Sequence, residues 1–257
     1  YKSQSQLVSP EKSRFFNWSK PFVQLETTRG CFNTCAFCVS GGEKPVRTIS
    51  LEAIRERLNV IHQHGIKNVR VLDRTFNYNN KRAKELLHLF REYAPDICFH
   101  LEIHPALLSE ELKEELAILP NGLLHLEAGI QSLREPVLEK SRRIGKLSDA
   151  LQGLKYLCSL KNMETHADLI AGLPLYHLSE IFEDVRTLAE YGAGEIQLES
   201  LKLLPGTEMR RRAEELGIQY SPLPPYEVLQ TKEISVEELQ TAHYLSCLLY
   251  TFYNTPT

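Results

Sequence analysis

The chain has 257 residues, 42% hydrophobic and 25% charged, with a formal net charge of −3. This is the make-up of an ordinary globular chain large enough for one sizeable α/β domain. It excludes collagen-like and low-complexity classes, offers no basic excess for nucleic acid, and holds no apolar run near the ~20 residues of a membrane span. No secretory signal opens the chain, and Tyr1 in place of Met reads as the start of an excised fragment.

In chain order, residues 21–26 read as a strand running into a cysteine-rich loop. Ser50 caps a helix with Leu51, Ile54, Leu58 and Ile61 at helical spacing, stopped by Gly65. Residues 69–72 form a strand, 83–90 a helix ended before Pro95, and 97–103 a strand closed by Pro105. Ser109 caps a helix through Leu119, and 123–130 is the next strand. Ser148 caps a helix through Leu157, and 165–170 is a strand ending at Gly172-Leu173-Pro174. Ser179 begins a helix, and 196–204 is a strand ending at Pro205-Gly206-Thr207. Residues 221–226 are an extended Pro-rich linker, and Ser235-x-x-Glu238 is a capping box opening an amphipathic helix to about Leu249. Strict strand–helix alternation predicts parallel strands with right-handed crossovers. The expected architecture is an α/β partial TIM barrel, (β/α)6, with a C-terminal helical extension. Its expected divisions are a lead-in (1–20), a core (21–218) and a linker with a helix (219–257).

Several strands alternate polar with apolar residues, where fully buried parallel strands are usually apolar throughout. The polar face carries His100, Glu102, His104, His125, Glu127, His166, Asp168, Gln197 and Glu199, and also Gln131 if no bulge intervenes. The apolar faces must meet the helices, so this polar set faces the barrel interior. Without water, mutual pairing or a polar ligand, burying it is strongly unfavourable. A ligand cavity is expected, at the carboxyl ends of the strands.

Of six cysteines, Cys31, Cys35 and Cys38 have the spacing C-x-x-x-C-x-x-C directly after the first strand. Three thiolates on one loop can hold three irons of a [4Fe–4S] cluster and leave the fourth open. Cys98, Cys158 and Cys247 read as small core residues, and the whole pattern suits a reducing, cytoplasmic compartment rather than a disulfide framework. Zinc on the same loop would need a fourth ligand, and the nearest histidine in sequence is His62.

The run from Glu26 to Cys38 resembles the radical S-adenosylmethionine (SAM) superfamily, with likeness over about residues 21–218. The resemblance implies that SAM chelates the open iron. Reductive cleavage then gives a 5′-deoxyadenosyl radical that abstracts hydrogen from a substrate. It places Phe37 against the adenine, Asp73 at the SAM amino group, Glu102 near SAM, and Gln131 and Asp168 at the ribose. Arg143 would take the carboxylate, and the backbone near Leu204 would flank the adenine. Ser132 and Leu173 fall within matching motifs. An electron donor such as flavodoxin or ferredoxin is implied.

The motifs are shared with methylthiotransferases, Elongator-type enzymes and oxygen-independent coproporphyrinogen oxidase. The opening Glu26-Thr27-Thr28-Arg29-Gly30-Cys31, the Asp73 segment and the tail from Pro224 to Leu229 look most like members with an N-terminal cobalamin-binding domain. Cobalamin is therefore implied for a longer protein. Departures remain. Gly41-Gly42-Glu43 follows the cysteines, where the family's Gly-Gly-Glu follows the second strand. Ser40 stands where coproporphyrinogen oxidase has a further cysteine. The alternatives are a methylthiotransferase-like or coproporphyrinogen-oxidase-like enzyme, or a non-catalytic metal- or SAM-binding module.

Overall fold

The computed structural model describes residues 9–255, so the first eight residues of the expected lead-in lie outside the described residues. β1 (Val23–Leu25) enters a loop whose base is closed by the antiparallel pair β2 (Thr28–Arg29) and β3 (Arg47–Thr48). Then follow α1 (Leu51–Gln63), β4 (Asn68–Val71), α2 (Asn80–Arg91), β5 (Cys98–Ile103), α3 (Glu110–Ala117) and β6 (Leu124–Gln131). The core closes with α4 (Glu135–Lys140), α5 (Leu147–Ser159), β7 (Glu164–Ala171), α6 (Leu178–Glu190) and β8 (Glu195–Ser200).

Six strands form one sheet in the order β1-β4-β5-β6-β7-β8, and every pairing is parallel. Each helix returns the chain to the next strand, which gives the expected partial barrel. Burial alternates along β5 and β6, with Phe99, Leu101, Ile103, Leu124, Leu126, Ala128 and Ile130 buried. Those residues join the core with Leu86, Leu87, Phe90, Leu112 and Leu154 of the surrounding helices. The ring of Phe90 stacks on Phe99 at 4.1 Å. Predicted caps hold where a side chain reaches back: Ser50 Oγ accepts from the Ala53 amide at 3.2 Å, and Ser109 Oγ from the Leu112 amide at 3.2 Å.

Other expectations fail for identifiable reasons. α5 starts at Leu147 after Lys146, and Ser148, inside its first turn, turns its hydroxyl to Asp149. α6 starts after His177, whose amide donates to Glu180 Oε2 at 3.0 Å. Residues 221–226 are the tip of a hairpin between β9 (Gln219–Tyr220) and β10 (Val228–Gln230), which follow the short helices α7 (Glu208–Arg211) and α8 (Ala213–Leu216).

The Ser235 capping box does open α9 (Val236–Leu248). Its apolar residues are spread around the helix rather than along one stripe, so Ala242 is buried while Tyr244 and Leu248 are exposed. A final π-helical turn ends on Asn254, whose side-chain amide accepts from the Ile196 amide at 3.0 Å and donates to the Ile196 carbonyl at 3.1 Å. The tail thereby pairs with β8, which has only β7 beside it in the sheet. Of the scattered cysteines, Cys158 is buried and Cys98 partly so, but Cys247 is exposed, contrary to a core role.

Candidate functional site

The cysteine loop is held from three directions. Its own backbone closes it: the Cys31 amide donates to the Glu43 carbonyl at 3.0 Å, Gly42 to Asn33 at 2.7 Å, and Cys38 to Cys35 at 3.1 Å. Gly41 packs so closely that a Cβ there would lie 2.6 Å from the Cys35 carbonyl oxygen. The glycine pair set aside by sequence reasoning thus shapes the loop.

From below, Asp73 follows β4 and is 1% exposed. It accepts from the amides of Thr27 (2.8 Å) and Thr28 (2.9 Å) and from the Thr27 hydroxyl. Burial pushes its pKa up, against the lowering effect of these bonds. The resemblance placed Asp73 at the SAM amino group, but here its oxygens are engaged in fixing the entry to the cysteine loop. From the side, Asn33 Oδ1 accepts from the Thr34 amide at 3.0 Å and the Ile144 amide at 3.1 Å, and Ser141 accepts from the Ala36 amide at 2.9 Å. Sequence reasoning missed Asn33. A short amide side chain inside a tight loop, of the kind that bonds nearby backbone, was the available signal.

Cys31 and Cys35 are buried and Cys38 is partly exposed. Among the described residues, one trio of metal-type ligand atoms lies within 4.8 Å of one another, and it is not the cysteines. Burial raises the Cys35 pKa, and the Arg143 guanidinium, with Nη1 at 3.7 Å from Cys35 Sγ, opposes that rise.

Arg143 also donates through Nη2 to the Gly129 carbonyl. Gln131 folds over the same glycine, where a Cβ would meet Gln131 Nε2 at 2.7 Å. Cys35, Arg143, Gly129 and Gln131 therefore converge. Arg142 points away and pairs with Glu208. Gln131 would share the phase of the other polar residues only in an unbroken strand, but a bulge skips Ile130 and leaves Gln131 at φ +73. Positive φ at a non-glycine residue is strained and gathers at ligand sites.

The interior carries most of the expected polar set. His100 Nε2 lies 2.8 Å from Glu127 Oε2, and this contact holds the Glu127 pKa down. Glu102 is pushed up to about 7, by burial first and then by the like charge of Glu127, with Arg74 at 3.9 Å acting the other way. Burial raises the pKa of Asp168. Burial alone would lower that of His166, but Asp168 beside it reverses the sign. His166 Nε2 and Asp168 Oδ1 approach to 2.9 Å out of line for a hydrogen bond, so both atoms are buried without an in-line partner. Such atoms await a polar ligand.

His104 does not face the interior. It caps the turn Pro105–Leu107, with Nδ1 accepting from the Ala106 amide at 3.3 Å and Nε2 at 3.0 Å from the Ile144 carbonyl. Burial, with Arg143 nearby, pushes its pKa down to about 3. Ser132 also departs from a cofactor role. It is fully buried, with its hydroxyl toward Asp184 of α6, where Tyr176, Leu133 and Arg134 converge. The Leu173 side chain is fully buried in the core, so only its backbone is left to line a site. Phe37 packs against the core half-buried, and the Leu204 carbonyl accepts from the Thr207 hydroxyl at 2.8 Å.

Residues 25–190 match the model of the radical SAM superfamily, and residues 214–257 match a second model, described as a protein of unknown function (DUF4080). An uncharacterized methyltransferase of Pyrococcus horikoshii is 27% identical over 194 residues, 74% of this chain and 41% of that protein. The ribosomal protein uS12 methylthiotransferase RimO of Moorella thermoacetica is 26% identical over 198 residues, 72% of this chain and 44% of that protein. The chain thus spans less than half the length of these relatives. Among solved structures, the radical SAM methyltransferase TsrM of Kitasatospora setae, with cobalamin and a [4Fe–4S] cluster bound, superposes with a TM-score of 0.66. The identity is 20%, and the match covers 79% of this chain and 42% of that one. Coproporphyrinogen III oxidase (HemN) from Escherichia coli gives 0.59 at 16% identity, over 88% and 52%. With the cysteine loop, the open parallel barrel and the match over residues 25–190 together, the chain belongs to the radical SAM superfamily.

Proposed function

We propose that this chain is the catalytic barrel of a radical SAM enzyme, with Cys31, Cys35 and Cys38 holding a [4Fe–4S] cluster. The observation that carries the reading is the Arg143 guanidinium beside Cys35, 3.7 Å from its sulfur. A planar cation at the rim of the cluster loop is placed to bind a carboxylate bidentately, which the chelating end of SAM supplies. Once bound and reduced, the cluster supplies the electron that cleaves SAM to a 5′-deoxyadenosyl radical for hydrogen abstraction. The chain's own residues orient and shield. Gln131 and Asp168 meet the ribose, Phe37 and the backbone at Leu204 bracket the adenine, the backbone at Leu173 lines the site, and Glu102 lies near SAM. Ser132 supports the wall from behind.

Residues 21–218 form the catalytic core and 219–257 an appended unit, a division supported by the separate match at 214–257. Methyl transfer with cobalamin held by another part of a longer protein is the favoured outcome, supported by the methyltransferase name of one relative and the cobalamin in TsrM. The electron comes from a flavodoxin- or ferredoxin-type donor in a reducing cytoplasm. No helix among the described residues is long and apolar enough to cross a membrane.

The test is anaerobic reconstitution with iron and sulfide, dithionite reduction, and electron paramagnetic resonance with and without SAM. A reduced-cluster signal that shifts on SAM addition supports the reading. A signal blind to SAM, or zinc in place of iron, overturns it.

A further inference from the structure

At the opposite end of the interior from the cysteine loop, three neighbouring strands bring His125, His166 and Glu195 together. One ring nitrogen from each histidine and one Glu195 carboxylate oxygen lie within 4.8 Å of one another. His125 is the second residue of β6, His166 the third of β7 and Glu195 the first of β8. All three thus sit at the amino ends of their strands, away from the carboxyl ends where barrel chemistry is done.

We infer that His125, His166 and Glu195 form a second metal site, for a divalent cation of the zinc class, that ties β6, β7 and β8 together at the floor of the barrel. Two imidazoles and a carboxylate are a favoured ligand set for such ions. Two features beyond proximity point to a ligand. First, Nε2 of His125 is buried without a hydrogen-bond partner, and His166 as a whole is only 8% exposed. Buried imidazole nitrogens rarely stay unpaired.

Second, the two faces of His166 are differentiated. Its Nδ1 looks toward Glu195 Oε2 at 3.7 Å, while its Nε2 lies 2.9 Å from Asp168 Oδ1. A ligating histidine typically turns its second nitrogen to a carboxylate, which fixes the ring and its tautomer. Metal on Nδ1 with Asp168 beside Nε2 approaches that arrangement, and a small turn of the ring would bring the Nε2–H into line with the carboxylate. Glu164, with Oε2 3.5 Å from His125 Nδ1, is largely exposed and stands beside that ring as an outer partner. Bonds of about 2.0–2.2 Å put tetrahedral ligands roughly 3.3 Å apart, so the trio must close by about 1.5 Å at its widest. Side-chain rotation supplies that.

None of the three ligands is a SAM contact in the proposed function, although Asp168 beside His166 is, and the test therefore reads metal rather than turnover. Cluster-loaded chain is dialysed against zinc(II), passed over a chelating resin, and assayed by mass spectrometry of metals. One zinc per chain beyond the cluster iron is expected, with a zinc-dependent rise in melting temperature. Glu195→Gln, at the partly exposed end of the trio, should keep the fold by circular dichroism and lose zinc affinity roughly tenfold or more, since even an outer-sphere change costs that much. His125→Gln should act likewise. Replacing Cys31, Cys35 and Cys38 together with serine should leave zinc bound. Wild-type chain that retains no zinc, folded His125→Gln and Glu195→Gln variants that bind it undiminished, or zinc that leaves with the cysteines would each overturn the assignment.

Discussion

Replacing Asp73 tests whether one buried carboxylate sets the position of the cysteine loop. Asp73→Ala removes the acceptor for two buried amides and one hydroxyl, those of Thr27 and Thr28. An unsatisfied buried donor costs about 1–3 kcal/mol, and the hydroxyl can rotate to another acceptor. Two amides therefore set a gross loss of about 2–6 kcal/mol. Burial of the carboxylate is itself unfavourable, which its raised pKa records, so part of that loss is returned. A net destabilisation of about 3 kcal/mol is expected, a large fraction of the ~5–15 kcal/mol that holds a domain folded. Asp73→Asn keeps an oxygen where Oδ1 takes both amides, and it should cost about 1 kcal/mol. Urea unfolding of the cluster-free chain by circular dichroism measures both, and iron retention after reconstitution reads the loop directly. An Asp73→Ala variant within about 0.5 kcal/mol of wild type, the range of ordinary surface changes, with unchanged iron, would refute the anchoring argument.

Arg143→Ala should lower SAM affinity roughly 10–100-fold by anaerobic calorimetry while iron content stays constant, because a charged hydrogen-bonding partner is worth about 1.5–3 kcal/mol. Equal affinity would remove Arg143 from the site. Gly41→Ala should destabilise the loop by about 1–3 kcal/mol and reduce iron retention, since its Cβ would meet the backbone oxygen of Cys35 at 2.6 Å. The neighbouring Gly42→Ala, at φ +77 with nothing within 4 Å, should cost only about 1 kcal/mol of backbone strain. Similar behaviour of the two glycine variants would contradict that distinction.

Glu102 binds its proton more tightly folded, near pH 7, than unfolded, near 4.5. Its contribution to stability is present below about pH 4.5 and lost as pH rises through about 7. Glu102→Gln, a mimic of the protonated acid, should therefore gain on wild type in urea midpoint across that window, by an amount moderated by the partial exposure of the side chain. A pH-independent difference would reject the assignment.

Long periodic elements were legible in the sequence because their burial is local in cause. The stripe Ile54, Leu58 and Ile61 and the alternation through His100 and Glu102 each follow from one helix or strand repeat. The six-residue α4 lay below any readable period, with Pro136 in its first turn. The β9–β10 pair has two and three residues, and its Pro-rich tip reads equally well as a linker. Ser148 and Ser179 mimic caps, and only tertiary packing decides that the chain turns helical a residue or two sooner.

At the site, residue types were readable and their partners were not. Arg143 was separable from Arg142 only once Cys35 and Glu208 were placed. The bulge at Gln131 escaped because nothing about glutamine advertises positive φ. Asp73 showed its acidity in the sequence, but its partners lie 45 and 46 residues away along the chain.

The Asn254 clamp gives the end of the described chain a hold on the interior. The clamped residue, Ile196, lies between Glu195 and Gln197, two side chains on the face of β8 opposite its buried apolar residues. A pull on the tail that broke the amide pair would loosen the Glu195 end of β8, and beyond the other end of that strand the Met209 amide donates to the Ala36 carbonyl at 2.8 Å, inside the cysteine loop. The tail and the cysteine loop are thus joined through one strand, so tension at the last described residues has a path to the backbone of the loop.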